Sequence, residues 1–234
     1  MVLRKFDVDA ALDEVDRAIK DLKFRGVQIY TPIIDKPLDS PEFMPLYEKM
    51  CQYNLPIWLH PQRGIEYPDY KSEKTSQYHI FGILGWVYET STAMMRLVLS
   101  GTMEKYPGLK FITHHAGAMI PFLEMRLAEW LDGYNMLFGR TDIENLRKPA
   151  VDYFKMFYAD TALCGDVPAL MCGYTFFGAE HMLFGTDYPY DLEGGDKYIS
   201  RTIDAVYRMD ISDADKEMIF EGNAKRILSL NVKG

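Results

Sequence analysis

The chain has 234 residues, of which 48% are hydrophobic and 26% charged, and its formal net charge at pH 7 is −8. This composition is typical of a globular domain and excludes a disordered chain, and a net negative charge without a Lys/Arg cluster argues against nucleic-acid binding. No apolar run approaches the roughly 20 residues of a transmembrane helix, and the N-terminus lacks the apolar segment of a signal peptide. We therefore expect a cytoplasmic protein without a membrane or nucleic-acid partner.

The three cysteines, Cys51, Cys164 and Cys172, form no CxxC pair. An odd number without paired spacing indicates free thiols in a reducing compartment. Because free cysteine usually behaves as a small apolar residue, we expect each of the three to be buried.

Helical and strand-like stretches alternate along the chain. The first helix is predicted over 9–23, where Leu12, Val15 and Ile19 fall on one face. Strands are predicted over 25–31, 55–60, 109–115, 153–161 and 181–187, and further helices over 41–53, 86–105, 118–132, 166–176, 195–208 and 212–230.

Apolar strands that alternate with helices predict an α/β fold with a parallel sheet covered on both faces. Both a (β/α)8 barrel and an open doubly wound sheet fit this pattern. The Gly-rich phosphate turn that the open sheet usually carries after its first strand is absent, which gives nucleotide binding little support. No linker divides the chain, so residues 1–234 are predicted to form a single domain.

Polar side chains that can bind a metal follow most of the predicted strands. His60 ends the second strand, His114 and His115 the third, Asp160 the fourth and Asp187 the fifth. In barrels and open parallel sheets alike, the functional site lies at the carboxyl ends of the strands. These side chains are therefore expected to meet at one edge of the sheet.

Each residue also has a purely structural interpretation. His60 before a proline can bond a carbonyl group, Asp160 can bond the backbone or cap a helix, and Asp187 can cap a turn. Side chains alternate across a regular strand, so His114 and His115 cannot both point to the same face. The sequence predicts that one of the two faces the site and leaves open which one.

Imidazole and carboxylate groups at one edge are typical ligands of a divalent metal such as zinc. Such a metal lowers the pKa of a bound water or polarises a substrate oxygen. A histidine nearby that is not a ligand could then move a proton.

The segments "WLHP", "ITHHAGAMIPF" and "MLFGTDYP", in this order, resemble the amidohydrolase-related family, which includes aminocarboxymuconate semialdehyde decarboxylase and γ-resorcylate decarboxylase. The resemblance covers nearly the whole chain, including "GVQIYT", "YETSTAMMRLVLSGTMEKYPGLK" and "EGNAKRIL". It implies a (β/α)8 TIM-type barrel with a divalent metal, with zinc preferred to manganese.

The resemblance also implies roles for individual residues. His60 matches a metal-binding histidine after the fifth barrel strand, and Asp187 matches the metal-binding aspartate after the eighth. His115 matches the histidine after the sixth strand, which transfers a proton or holds the metal-bound water. No role is implied for His114, and no ligand role for Asp160.

The chain departs from the family pattern at its front. The family begins with a strand ending in His-x-His, which supplies two metal ligands, whereas no histidine precedes His60 here. The five predicted strands match the fourth to eighth strands, which implies a partial barrel. Open sheet edges favour a homo-oligomer. The metal is expected to bind weakly or not at all unless His115 or Asp160 joins His60 and Asp187.

Three functions fit these expectations. The first is non-oxidative decarboxylation of an aromatic or unsaturated carboxylic acid, in which His115 supplies the proton that replaces CO2 and Arg63 clamps the substrate carboxylate. The second is metal-dependent hydrolysis of an ester, lactone or amide. The third is an inactive chain that serves as a subunit or binding protein.

Overall fold

The computed structural model describes residues 7–134 and 146–230. Within them, five strands form one parallel sheet whose spatial order follows the chain. The strands are β1 Val27–Thr31, β2 Ile57–Pro61, β3 Phe111–Thr113, β4 Tyr158–Asp160 and β5 Met182–Leu183. An order that never reverses is that of a barrel segment, whereas a doubly wound sheet reverses at its switch point. Of the two predicted architectures, the partial barrel is confirmed.

Helices lie between the strands. They are α1 Val8–Asp16, α2 Met44–Tyr53, α3 Trp86–Leu99, α4 Thr102–Lys105, α5 Glu124–Glu129, α6 Ala150–Phe154, α7 Val167–Phe177, α8 Asp196–Arg208, α9 Asp213–Glu217 and α10 Asn223–Ile227. Short π-helical turns extend several of them, at Arg17–Asp21, Phe81–Gly85, Trp130–Tyr134 and Met218–Gly222. No helix of the described residues is both long and apolar enough to cross a membrane.

The two faces of the sheet are covered differently. On the outer face, alternate strand residues such as Leu59, Phe111 and Met182 are fully buried in one core with the helices. On the inner face, Ile112, Tyr158 and Leu183 form a second, smaller cluster with Ile227 of α10. This alternation, which follows from the period of two along a strand, leaves the inner positions at the carboxyl ends free for polar side chains.

Helix α10 is fixed beneath the inner face by two buried hydrogen bonds of Asn223 and one exposed hydrogen bond of Arg226. The side-chain amide of Asn223 donates to the carbonyl groups of Ala179 and Met182, each at 2.7 Å. Arg226 donates to the carbonyl of Glu180 at 2.6 Å. These bonds close the amino-terminal end of the sheet, so the opposite end is the one available for a site.

Several predicted elements were too long. The fourth strand was predicted over 153–161, but 150–154 is the helical turn α6 and only Tyr158–Asp160 is extended. The predicted helix 118–132 is divided, because a 3-10 turn at Pro121–Leu123 precedes α5. A short apolar stretch fits the hydrophobic period of a helix as well as that of a strand. Its structure is decided by how it is buried between the sheet and the neighbouring helices.

The prediction of three buried cysteines was wrong. Cys164 and Cys172 are exposed and Cys51 is half-buried, although all three are free thiols. Burial of free cysteine is a statistical preference of the residue type, and it does not determine whether a particular cysteine faces the core.

Candidate active site

His60 occupies an inward position of β2, whose residues alternate between buried and half-buried. Its Nδ1 lies 2.6 Å from the carbonyl oxygen of Pro61. An imidazole nitrogen that bonds a carbonyl must be the protonated one, so Nε2 of the neutral ring carries the lone pair. The structural interpretation of His60, a bond to a carbonyl group, is therefore confirmed without excluding a ligand role for Nε2.

Asp160 ends β4 and is almost completely buried. Its Oδ2 lies 2.7 Å from Nδ1 of His114. Its Oδ1 accepts the backbone N–H groups of His115 at 2.9 Å and Ala162 at 3.0 Å. The predicted backbone bonds of Asp160 are present, and the pairing with His114 was missed.

Both members of the histidine doublet lie near the group. The His114 ring centre is 4.9 Å from that of His60 and 6.1 Å from that of His115. The expectation that only one faces the site assumed a regular strand through 115, but β3 ends at Thr113. His115 has a φ of 59° and Ala116 a φ of 51°, so the chain leaves the strand geometry at the doublet.

The small residues after the doublet permit this turn. Gly117 has a φ of 78°, and a Cβ at this position would lie 2.4 Å from the ring of Phe177. A residue with a side chain would therefore be strained there and would collide with α7. The small residues of "HAGA" are visible in the sequence, but the left-handed conformation and its effect on His115 are not.

Asp187 follows β5 with a φ of 63°. Partial burial raises the pKa of its carboxyl group, His115 lowers it in part, and the negative charge of Asp160 raises it further. His114 and His60 also lower the pKa of Asp187. These mutual effects place Asp187 within electrostatic reach of all three histidines.

The histidines differ in how readily they carry charge. Burial lowers the pKa of His60 and also that of His115. Burial also acts to lower the pKa of His114, but the charge and hydrogen bond of Asp160 outweigh it and raise the pKa above its ordinary value. Burial acts to raise the pKa of Asp160, and His114 more than offsets it, so the pKa is lowered.

The nitrogen and oxygen atoms of these side chains are of the types that bind a divalent metal, but among the described residues they are not already grouped around one point. Nε2 of His114 and Nδ1 of His115 are buried and have no hydrogen-bond partner among residues 7–134 and 146–230. Orphaned buried nitrogens beside a carboxylate fit the ligand chemistry of zinc or manganese. Nevertheless, within residues 7–134 and 146–230 no three His, Cys, Asp or Glu side chains are already grouped to hold a metal.

Arg63 lies on the loop after β2. Its guanidinium carbon is 5.1 Å from the ring centre of Tyr67, and its backbone N–H donates to Glu89 at 2.7 Å. Trp86 donates to the Arg63 carbonyl at 2.9 Å. These contacts anchor the loop against α3, and the predicted role of Arg63 as a carboxylate clamp stays a prediction.

Sequence reasoning also missed Tyr30. This residue pairs with His60 in the register of β1 and β2, so both point inward at the same level. The two ring centres lie 5.4 Å apart in an edge-to-face arrangement. The shared inward position in neighbouring strands is the signal that could have found it.

Comparison with known proteins extends these observations. A family model described as Amidohydrolase matches residues 2–230. The chain is 26% identical to 2-amino-3-carboxymuconate-6-semialdehyde decarboxylase of Dictyostelium discoideum over 223 residues, which cover 95% of this chain and 58% of that protein.

Solved structures agree with the sequence match. The 5-carboxyvanillate decarboxylase of Sphingomonas paucimobilis superposes with a TM-score of 0.81 at 28% identity, covering 96% of this chain and 64% of the other. A dihydroxybenzoic acid decarboxylase from Polaromonas, solved with manganese and 2-nitroresorcinol, gives a TM-score of 0.76 at 26% identity. The match covers 97% of this chain and 67% of the other. The chain thus spans less than two thirds of the length of the first two of these relatives.

Proposed function

The chain belongs to the amidohydrolase family, and on this premise we propose that it takes part in metal-dependent, non-oxidative decarboxylation of an aromatic or unsaturated carboxylic acid. The observation that carries the proposal is the group of three histidines and Asp187 at the carboxyl end of the sheet. Relatives named as decarboxylases share both sequence and fold with this chain.

His60 and Asp187, with His115 beside them, are the residues proposed to hold the metal. Their donor atoms suit zinc, and the manganese in the Polaromonas relative makes manganese the second cation to test. When bound, a divalent metal polarises the oxygen atoms of the substrate. Because the donors are not preassembled, binding has to draw them together or recruit further ligands.

His115 is proposed to move the proton. Burial lowers the pKa of His115, so the folded protein favours its neutral ring, which accepts a proton before it delivers one. As the carbon–carbon bond breaks and CO2 leaves, the electron pair remains on the substrate carbon, and His115 delivers the proton that forms the new C–H bond. Arg63 is proposed to orient the substrate carboxylate with its two-pronged guanidinium.

We also propose that copies of the chain associate. Within the described residues, β1 and β5 each pair on one side only, and open parallel edges are normally covered. Large apolar side chains are exposed, including Tyr78, Ile83, Phe122 and Leu192. Free cysteines favour the cytoplasm as the compartment.

Two further functions have an observation in their favour. Hydrolysis of an ester, lactone or amide agrees with the description of the matched family model. A non-catalytic subunit agrees with the lack of a preassembled metal group among the described residues. Both use the same fold. Hydrolysis is distinguished from decarboxylation by its products, and a non-catalytic subunit is distinguished by forming no product.

The test is an assay of the purified chain with Mn²⁺ or Zn²⁺ against a panel of hydroxybenzoates, carboxyvanillates and unsaturated acids, with CO2 release measured. Aryl esters and lactones are assayed in parallel. Metal-dependent CO2 release from one acid supports the proposal. Ester or lactone cleavage without CO2 release would replace it with hydrolysis, and inactivity of a metal-loaded, folded protein on every compound would reject catalysis by this chain.

A further inference from the structure

Two histidines of the group have the same hydrogen-bond arrangement. Nδ1 of His60 is 2.6 Å from the carbonyl oxygen of Pro61, and Nδ1 of His114 is 2.7 Å from the carboxylate of Asp160. A histidine that binds a metal almost always donates its other ring N–H to a carbonyl or a carboxylate. Both rings are therefore oriented as ligands through Nε2.

The second ring nitrogen of His114 has no hydrogen-bond partner in the part of the chain that the structure describes. Its Nε2 is buried and makes no hydrogen bond in the structure. Leaving a buried polar nitrogen unpaired costs about 1–3 kcal/mol, so such an atom in a folded protein is expected to bind an ion or a water. The ring lies against His60 at 4.9 Å between centres, which brings the two imidazoles to one place.

His115 has a different arrangement. Asp160 bonds its backbone N–H and not its ring, and its Nδ1 is buried without a partner. No hydrogen bond therefore fixes which ring nitrogen of His115 carries the proton. This suits a residue that moves a proton better than one that must present a fixed lone pair.

We propose that His114 is a metal ligand through Nε2, supported by Asp160, and that it joins His60 and Asp187 in the site. The inference deepens the proposed function and rests on its metal. The family resemblance implies no role for His114, so this ligand is assigned from the contacts of the present structure. It supplies a third protein donor without requiring His115, which remains the proton carrier.

The test uses Co²⁺ as the probe, because its visible absorption reports the number and geometry of ligands. Affinity is measured by titrating the metal-free full chain. We expect wild type to bind one Co²⁺, His114→Ala to lose at least tenfold in affinity with a changed spectrum, and Asp160→Asn to lose about 10–100-fold. His79→Ala is the matched control, since His79 is exposed and its ring lies beside Phe81, and it should bind as wild type does.

A second measurement covers the case in which a variant fails to fold. Pulsed electron paramagnetic resonance of wild type and His115→Ala loaded with Mn²⁺ counts coordinated imidazoles. Two in both proteins supports His60 and His114. Loss of one in His115→Ala, wild-type Co²⁺ affinity in folded His114→Ala, or no metal binding by wild type would each overturn the assignment.

The outcomes also separate this inference from the proposed function. Weakened Co²⁺ binding in His114→Ala, together with no CO2 release by metal-loaded wild type, would reject decarboxylation and keep the ligand assignment. CO2 release by metal-loaded wild type, together with unchanged Co²⁺ affinity in His114→Ala, would keep decarboxylation and reject the ligand assignment.

Discussion

His114 and Asp160 face each other across the ends of neighbouring strands, with Nδ1 and Oδ2 2.7 Å apart. The same carboxylate holds the backbone of His115 through its other oxygen. One buried side chain therefore fixes the His114 ring and the turn that carries His115. The sequence suggested a backbone bond, a helix cap or an additional metal ligand for Asp160, but not this contact with the His114 ring.

Replacing Asp160 should destabilise the fold. Asp160→Ala removes the partner of the His114 ring and of two backbone N–H groups at a buried position. Unpaired buried donors of this kind cost about 1–3 kcal/mol each, so we expect a loss of about 2–5 kcal/mol in the free energy of unfolding. Urea unfolding of the metal-free protein measures it.

Asp204→Ala provides the comparison for that experiment. Asp204 forms an exposed ion pair with Arg208 on α8, and exposed pairs are worth about 0–1 kcal/mol. An Asp160→Ala protein as stable as Asp204→Ala would mean that the buried carboxylate contributes nothing to the fold.

The His114–Asp160 pair should make stability depend on pH. The pKa of His114 is raised because Asp160 outweighs the effect of burial. A raised histidine pKa contributes stability that is fully present below its unfolded value of about 6.5 and is lost as the pH rises through the folded value. The stability difference between wild type and His114→Gln should therefore shrink from about pH 6 to about pH 9.

Denaturant unfolding with a chelator present, at both pH values, measures this difference. His114 also lowers the pKa of His60 and of His115, so the difference between the two proteins includes this coupling as well as the His114–Asp160 pair. A difference that grows with pH would mean that His114 is not charged beside Asp160 in the folded state.

Gly117→Ala should be destabilising and Gly133→Ala should not. A Cβ on Gly117 meets the Phe177 ring at 2.4 Å at a positive φ, whereas a Cβ on Gly133 meets no atom of the described residues within 4 Å. We expect a cost of about 1–3 kcal/mol for the first and a change of less than about 1 kcal/mol for the second. Thermal unfolding of both variants tests this, and equal melting temperatures would contradict the tight turn after the doublet.

The sheet was predictable because its strands are short apolar runs between helices, and their order follows from right-handed crossovers between successive parallel strands. Identification of His60 as a strand-end residue needed no more than this, whereas the strand predicted over 181–187 was too long, because β5 ends at Leu183 and Asp187 lies beyond it. The His114–Asp160 bond could not be predicted, since it joins residues 46 positions apart and depends on the register of β3 and β4. The strand predicted over 153–161 was wrong because the aromatic residues of α6 are apolar in either structure.

The orientation of His115 was also beyond the sequence. Alternation along a strand assigned the two histidines to opposite faces, and that rule ended where the strand ended, at Thr113. The left-handed turn depends on the fit of Gly117 against Phe177, a contact with α7 formed only in the folded chain. Local sequence showed the small residues but not the neighbour that requires them.

His60→Ala should remove activity and leave the fold intact. The His60 ring is half-buried at the open end of the sheet, where it bonds the adjacent Pro61 carbonyl and packs edge-to-face against Tyr30 and His114, so its removal should lower the stability without unfolding the chain. As a proposed ligand, it should matter more than supporting residues, whose loss costs about 10–100-fold. We therefore expect kcat/KM for CO2 release to fall by about 100-fold or more, with an unchanged circular dichroism spectrum. His79→Ala serves again as the control, and wild-type turnover in His60→Ala would place the reaction away from this group.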